Sequence, residues 1–253
     1  MMKHILLCLL LLPLSIAAQE NDVEPKDWKA DLTLSGFYQA GNVETKIFRA
    51  NSNFSLNVLN NMVFETKNSY VYQEFGKTKA DEDILSLNFL NFNPDRKLYP
   101  LVLSFLSTNF RRDIDLRYLF GVGLSYKVLE EGNNILNISV STEFEHTEFG
   151  SSDFNRSQYD GESIINTYRG TIWINGTYEL VKDKLILKHE SYYQPSIERD
   201  SNFRWQADTK IDFPIFKHLN LNVSYLYTFE NVVIAGQKPE DRFISFGFTL
   251  KSY

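Results

Sequence analysis

From Trp28 onward the chain alternates apolar and polar positions with a period of two. Leu116, Tyr118, Phe120, Val122, Leu124, Tyr126 and Val128 form one set, and Arg117, Leu119, Gly121, Gly123, Ser125 and Lys127 lie between them. Phe203, Trp205, Ala207, Thr209, Ile211 and Phe213 interleave in the same way with Arg204, Gln206, Asp208, Lys210 and Asp212. Leu219 to Glu230, Phe48 to Val58 and Ile244 to Lys251 repeat the pattern. A strand with a greasy face and a wet face reads like this. Length narrows the choice. Strands of globular domains run about 5–6 residues, whereas strands that cross a membrane need roughly 9–11. The runs here are of the longer kind.

Twelve runs are predicted: Trp28–Ala40, Thr45–Leu59, Met62–Glu74, Asp83–Phe92, Leu101–Phe110, Asp115–Leu129, Ile135–Thr147, Ser163–Leu180, Lys184–Tyr193, Phe203–Phe213, Leu219–Glu230 and Arg242–Tyr253. Two are irregular. Met62–Glu74 carries Thr66 and Asn68 on its greasier face, and Ile84–Phe92 is apolar on both faces. The expected fold is all-β, a transmembrane antiparallel up-and-down β-barrel of about twelve strands. With an even count and both ends periplasmic, the inner turns are Asn60-Asn61, Asn93–Pro100, Glu130–Asn134, Val181–Asp183 and Pro214–His218. The outer loops are Gly41–Glu44, Phe75–Glu82, Arg111–Asp113, Glu148–Glu162, Gln194–Asn202 and Asn231–Asp241. The longest polar segments fall on the outer side, as in outer-membrane barrels.

The N-terminus supplies an export route. Lys3, the apolar run Ile5–Leu14 and Ala17-Ala18 before Gln19 form a secretory signal peptide. The apolar run is too short to span a bilayer as a helix, which takes roughly 20 residues. The expected organisation is a signal peptide over residues 1–18, a short polar lead over 19–27 and a barrel over 28–253. Cys8 is the one cysteine, and Leu6-Leu7 before it argue against a lipid anchor. The exported chain then has no thiol for disulfides, zinc or catalysis. Loss of Lys3 takes the net charge from −6 to −7, which argues against nucleic acid as a partner. Expected partners are outer-membrane lipid, lipopolysaccharide and the barrel-assembly machinery.

Ser35-Gly36-Phe37-Tyr38-Gln39-Ala40-Gly41-Asn42-Val43-Glu44-Thr45 resembles the opening hairpin of the DUF481 family, described as salt-induced outer-membrane proteins. Gly121-Val122-Gly123-Leu124-Ser125-Tyr126 resembles its Gly-rich central strand, and Asp241–Tyr253 its closing strand. The resemblance implies a barrel in the bacterial outer membrane, with a link to salt or osmotic stress. It transfers no catalytic residue. The closing strand departs in one respect: Tyr253 supplies a terminal aromatic, but alternation groups it with Gly247, Thr249 and Lys251.

Candidate chemistry lies on the inward faces. Arg49, Glu65, Lys67, Arg117, Lys127, Glu143, Glu145, Arg169, Lys188, Glu190, Arg204, Asp208, Lys210, Asp212 and Lys251 are the candidate lumen-lining charges. Charges in such a lumen are paired or wet. They tune a narrow channel in one reading and plug the interior in the other. Acidic groups at Glu143, Glu145 and Glu148 (with His146 among them) and at Asp81, Glu82 and Asp83 raise divalent-cation binding, against which stands ordinary solvated loop charge. His189 and Ser191 share a face, but no nucleophile elbow is present. The expectation is a non-enzymatic barrel with no cofactor and no metal site. It acts as a narrow permeability channel, or as a filled barrel that recognises partners through its outer loops. Mass analysis of the protein from outer membranes is expected to place the mature N-terminus at Gln19. Unheated and boiled samples are expected to migrate differently on a denaturing gel, and a soluble periplasmic species would overturn the membrane assignment.

Overall fold

A computed structural model describes residues 27–41, 44–199 and 201–252. The signal peptide with Cys8 and His4, nearly all of the polar lead, the Asn42-Val43 part of the first loop, and Tyr253 lie outside them. Twelve strands follow one another: β1 (Trp28–Gln39), β2 (Thr45–Leu59), β3 (Met62–Phe75), β4 (Thr78–Phe92), β5 (Leu98–Asn109), β6 (Ile114–Glu131), β7 (Asn134–Phe149), β8 (Ile164–Val181), β9 (Leu185–Pro195), β10 (Phe203–Phe216), β11 (Leu219–Glu230) and β12 (Glu240–Lys251). Each is antiparallel to its sequence neighbours, and β12 returns to β1 to close the barrel. Closure removes the sheet edges, the one way a sheet can sit in hydrocarbon without orphaned backbone groups.

Alternation decides the faces. Phe120, Val122, Leu124, Ile172, Ile174, Phe246 and Phe248 are exposed on the outside, while Arg117, Leu119, Ser125, Arg169, Thr171 and Thr249 are buried inside. A soluble protein does not leave so continuous an apolar girdle uncovered; a membrane covers it. On β3–β5 the outer face carries a polar patch at mid-height, opposite inward leucines. Leu87, Leu101 and Leu103 are buried against the interior, whereas Thr66, Asn68, Ser86, Asn88 and Ser104 sit on the outer face. The register places Asn68 beside Ser86, and Asn88 between Thr66 and Ser104. Asn68 donates to Thr66 (3.1 Å) and Asn88 to Ser86 (3.3 Å), so these amides find partners along their own strands.

The strands are longer than predicted at several ends. The expected outer loop Phe75–Glu82 shrinks to Gly76-Lys77, both at positive φ (54° and 68°), as a tight two-residue hairpin requires. Thr78–Glu82 therefore belongs to β4. The expected inner turn Asn93–Pro100 shortens to 93–97, because Leu98–Pro100 continue the ladder with β6. The turn expected over Glu130–Asn134 reduces to Gly132-Asn133. The end carrying the chain termini thus has only short turns (the turn end). At the opposite, loop end, the connections after β7, β9 and β11 are the long ones.

Those three connections interlock. Phe154 bridges Ile234, Asn155 N donates to Val233 O (2.9 Å) and Ala235 N to Asp153 O (2.8 Å). Phe154, Tyr159, Val232 and Ile234 join Ile114, Phe149 and Ile165 in one buried apolar cluster. Arg199, between β9 and β10, pairs with Glu162 (2.8 Å) and lies over the Tyr159 ring. The loops from the β7–β12 half thus fold into a small core of their own at the loop end.

The closing seam is short. β1 pairs with β12 only from Asp31↔Lys251 to Ser35↔Gly247, although Gly36–Gln39 still pair fully with β2 and Glu240–Phe246 with β11. Gly247 lets the seam approach this closely, since a Cβ there would run into the Leu34 carbonyl and Ser35. Gly247→Val is expected to cost about 1–3 kcal/mol through that overpacking. A lowered urea midpoint for the refolded barrel in detergent, with weakened gel heat-modifiability, is the measurement.

Candidate functional site

The strands carry all fifteen candidate charges on the inward side, at three levels. Nearest the loop end the interior is closed by ion pairs. Arg117 on β6 reaches across the lumen to Glu230 on β11, donating through both terminal nitrogens (2.8 and 2.9 Å). Arg169 donates to Glu145 through Nε (2.9 Å) and Nη2 (2.8 Å), and Arg204 Nη2 lies 2.6 Å from the same carboxylate. Arg169 also donates to Asn202 and to the Gln194 carbonyl. Glu143 accepts from Ser141 and from Thr171 (2.8 Å), so it is held by hydroxyls rather than by a cation.

The β5–β6 turn adds a second tier. Arg111 lies between Asp81 (2.7 Å), Asp83 (3.7 Å) and Asp241 (2.7 Å). Arg112 meets Asp241 (3.1 Å), approaches Glu230 (3.8 Å) and donates to Thr228 (3.3 Å). Bidentate arginine–carboxylate pairs are the strong form of the interaction, and burial raises the cost of leaving any member unpaired.

Midway down, Lys67 on β3 pairs with Glu190 on β9, the strand diametrically opposite, and Asn175 donates to the same Glu190 (2.9 Å). Phe89 and Trp173 meet across the interior edge to face, centroids 5.9 Å apart. Asp208 projects inward beside Glu190. Toward the turn end, Asp212 sits near Lys188 (3.3 Å) and Lys210 (3.9 Å), with Lys251 on the same inner wall. Glu65 accepts from Asn91 (3.2 Å), and Lys127 pairs with Glu130 (2.8 Å).

Several expected groupings separate. Alternation sends Glu143 and Glu145 inward but His146 and Glu148 outward, where His146 stacks on Tyr118 (4.9 Å) and bonds Glu148 (3.0 Å). Asp81 and Asp83 face Arg111, while Glu82 turns outward toward Tyr70 (3.4 Å). Neither acidic run converges on one point, and among the described residues no three His, Cys, Asp or Glu side chains form a metal cage. His189 and Ser191 share the outer face, but His189 bonds Thr209 (2.9 Å), while Ser191 donates to the Gln206 carbonyl and accepts from Trp205. The network takes Asp81 and Asp83 from the acidic run, and it also uses four groups that the strand pattern left in loops or unremarked: Arg111, Arg112, Glu230 and Asp241. Their one local signal is the Arg111-Arg112 doublet in a very short connection.

Replacing Arg117 by Met strands Glu230 with only the longer Arg112 contact. It is expected to cost about 3–5 kcal/mol, the range for breaking a buried pair from one side. The urea midpoint of the barrel in lipid vesicles reads this. The double change Arg117→Met with Glu230→Met is expected to recover most of the loss.

A solved structure of the NanC porin is similar to this barrel at a TM-score of 0.53 and 9% identity, covering 88% of this chain and 100% of that one. The translocator domain of autotransporter NalP from Neisseria meningitidis aligns at 0.46 and 12% identity over 99% of this chain and 96% of that one. OmpT of Vibrio cholerae, expressed in the outer membrane, aligns at 0.44 and 9% over 92% and 99%. At such identities the first likeness shows a shared fold, and the other two carry no argument. No curated protein sequence matches the chain. The family profile of DUF481, described as a protein of unknown function, matches residues 32–251, and the chain belongs to that family.

Proposed function

We propose that the protein is a barrel of the bacterial outer membrane, embedded in its lipid and lipopolysaccharide and delivered there by the barrel-assembly machinery after signal-peptide cleavage. Its lumen is closed toward the loop end, and it works as a binding barrel without catalytic activity rather than as a standing pore. One observation carries this reading: the Arg117–Glu230 pair crosses the interior and the Glu145–Arg169–Arg204 cluster fills the wall beside it, directly beneath the interlocked loops. An ion entering there has to displace bonded arginines and carboxylates, each of which is costly to unpair once buried. The loop end is taken as the cell exterior, because outer-membrane barrels carry their longer loops there.

A gated pathway for small solutes is the second reading. The likeness to a solved porin favours it, as do the lysines at 188, 210 and 251 on one inner wall. The role in salt or osmotic stress belongs with this reading. Planar-bilayer recording separates the two. The wild-type barrel is expected to give no steady open conductance, and Arg117→Met with Arg204→Met is expected to give resolved steps. Steady ohmic steps from the wild type would overturn the closed lumen.

A further inference from the structure

Beneath the loop-end network the lumen keeps a cavity of about 120 Å³, with room for a tetrahedral oxyanion and some of its water. Its lining includes Arg49, Arg112, Arg204, Ser107, Gln206 and Phe243. Three of these arginines have donors to spare. Arg49 is only 8% exposed, yet among the described residues it makes no ion pair; its guanidinium lies 4.9 Å from the centre of the Phe243 ring. Arg204 is 3% exposed, and its Nη1 has no hydrogen-bond partner. Arg112 Nη1 has only the 3.8 Å approach to Glu230. The carboxylates on the cavity wall are already engaged. Glu230 is held by Arg117, and Asp83 accepts from Asn109 (3.0 Å) and from the Phe110 N–H (3.1 Å). Asp208, inward on β10 two residues beyond Gln206, lies within electrostatic reach of Arg49, as do Asp81 and Asp83, but none of the three makes a contact ion pair with it. A buried guanidinium without an anion is an expensive arrangement, and a ligand oxyanion relieves it.

The way in is lateral. The interlocked loops cover the β7–β12 half of the loop end, the Arg111-Arg112 turn reaches from the other half to Asp241, and the β1–β12 seam is unpaired above Ser35 and Gly247. Phe243 lies on that unpaired stretch of β12, and Arg49 is the cross-strand neighbour of Ser35, where the pairing stops. Ile244 and Phe246, on the membrane side of the same stretch, are 68% and 66% exposed. Cationic groups inside and bare apolar residues outside thus meet at one split in the wall.

We infer that this cavity binds the phosphate or carboxylate head group of an anionic amphiphile, whose apolar tail leaves the lumen between β1 and β12. The inference rests on the closed-lumen reading, since an open mouth would admit free anions from above. The test uses the full mature barrel in a zwitterionic detergent with two probes, dodecyl phosphate and inorganic phosphate. Binding is read by native mass spectrometry and by protection against urea unfolding.

Dodecyl phosphate is expected to bind more tightly than inorganic phosphate. Arg49→Gln, which breaks no ion pair, is expected to weaken it roughly tenfold or more. A disulfide between Phe37→Cys and Ser245→Cys, the positions that would face one another if the seam continued, is expected to block dodecyl phosphate and to be reversed by reductant. Unchanged binding in Arg49→Gln, or no binding of either probe, overturns the site. Equal affinity for the two phosphates, or indifference to the disulfide, overturns the lateral route. Bilayer conductance recorded on the same preparation reports on the closed lumen separately. Steady conductance with intact Arg49-dependent binding removes that reading and leaves the site, whereas silence without binding does the reverse.

Discussion

Backbone hydrogen bonding is the constraint on which everything else in this molecule depends. In hydrocarbon a peptide group has no water to turn to, so a sheet that spans must close. Closure fixes an inside and an outside. The two-residue period of the strand then hands alternate side chains to lipid and to lumen without regard to what they are. Long strands, an apolar girdle and a polar interior all follow. So does the interior's difficulty: arginines and carboxylates placed there must find their partners within the lumen. Arg117 finds Glu230 across the barrel rather than along its own sheet neighbours.

The period of two made the strands legible, and twelve runs became twelve strands with modest movement at their ends. The failures have a common physical origin. Thr78–Glu82 reads as a loop because its residues are charged, but Asp81 is charged in order to meet Arg111 inside the wall, and the Gly76-Lys77 turn needs no further residues. Apolar alternation signals a strand against lipid and is silent where a strand rises beside an ion network. The inward faces were likewise legible from alternation, whereas the pairings were not. Arg117 and Glu230 are 113 residues apart, and nothing local in either segment specifies the other. The loop core was hidden in the same way, although Val232-Val233-Ile234 is an apolar triplet inside an otherwise polar connection.

The two walls of the barrel are built on different principles. Over β6–β12 the interior is charged or amidic and the exterior apolar. On β4 and β5 Leu87, Leu101 and Leu103 face inward, while Thr66, Asn68, Ser86, Asn88 and Ser104 form a polar patch outside, in which Asn68 bonds Thr66 and Asn88 bonds Ser86. The apolar inner wall gives the arginine-bearing wall something to pack against: Arg204 on β10 lies over Phe105 on β5. Part of the lumen is therefore filled by contact between a cationic surface and an aromatic one, which adds to the ion pairing that Arg204 already has with Glu145.

The asymmetry of the loop end has a consequence for how the molecule looks to its surroundings. Loops tied by backbone bridges and a buried aromatic core form a standing ridge over β7–β12, beside a low sill where β3–β4 and β5–β6 turn back within a few residues. The relief of the ridge is held by backbone bonds between its loops. An antibody or a phage tail fibre approaching from that side would meet a conformational epitope assembled from segments far apart in the chain. Linear peptides cut from any one loop would imitate it poorly.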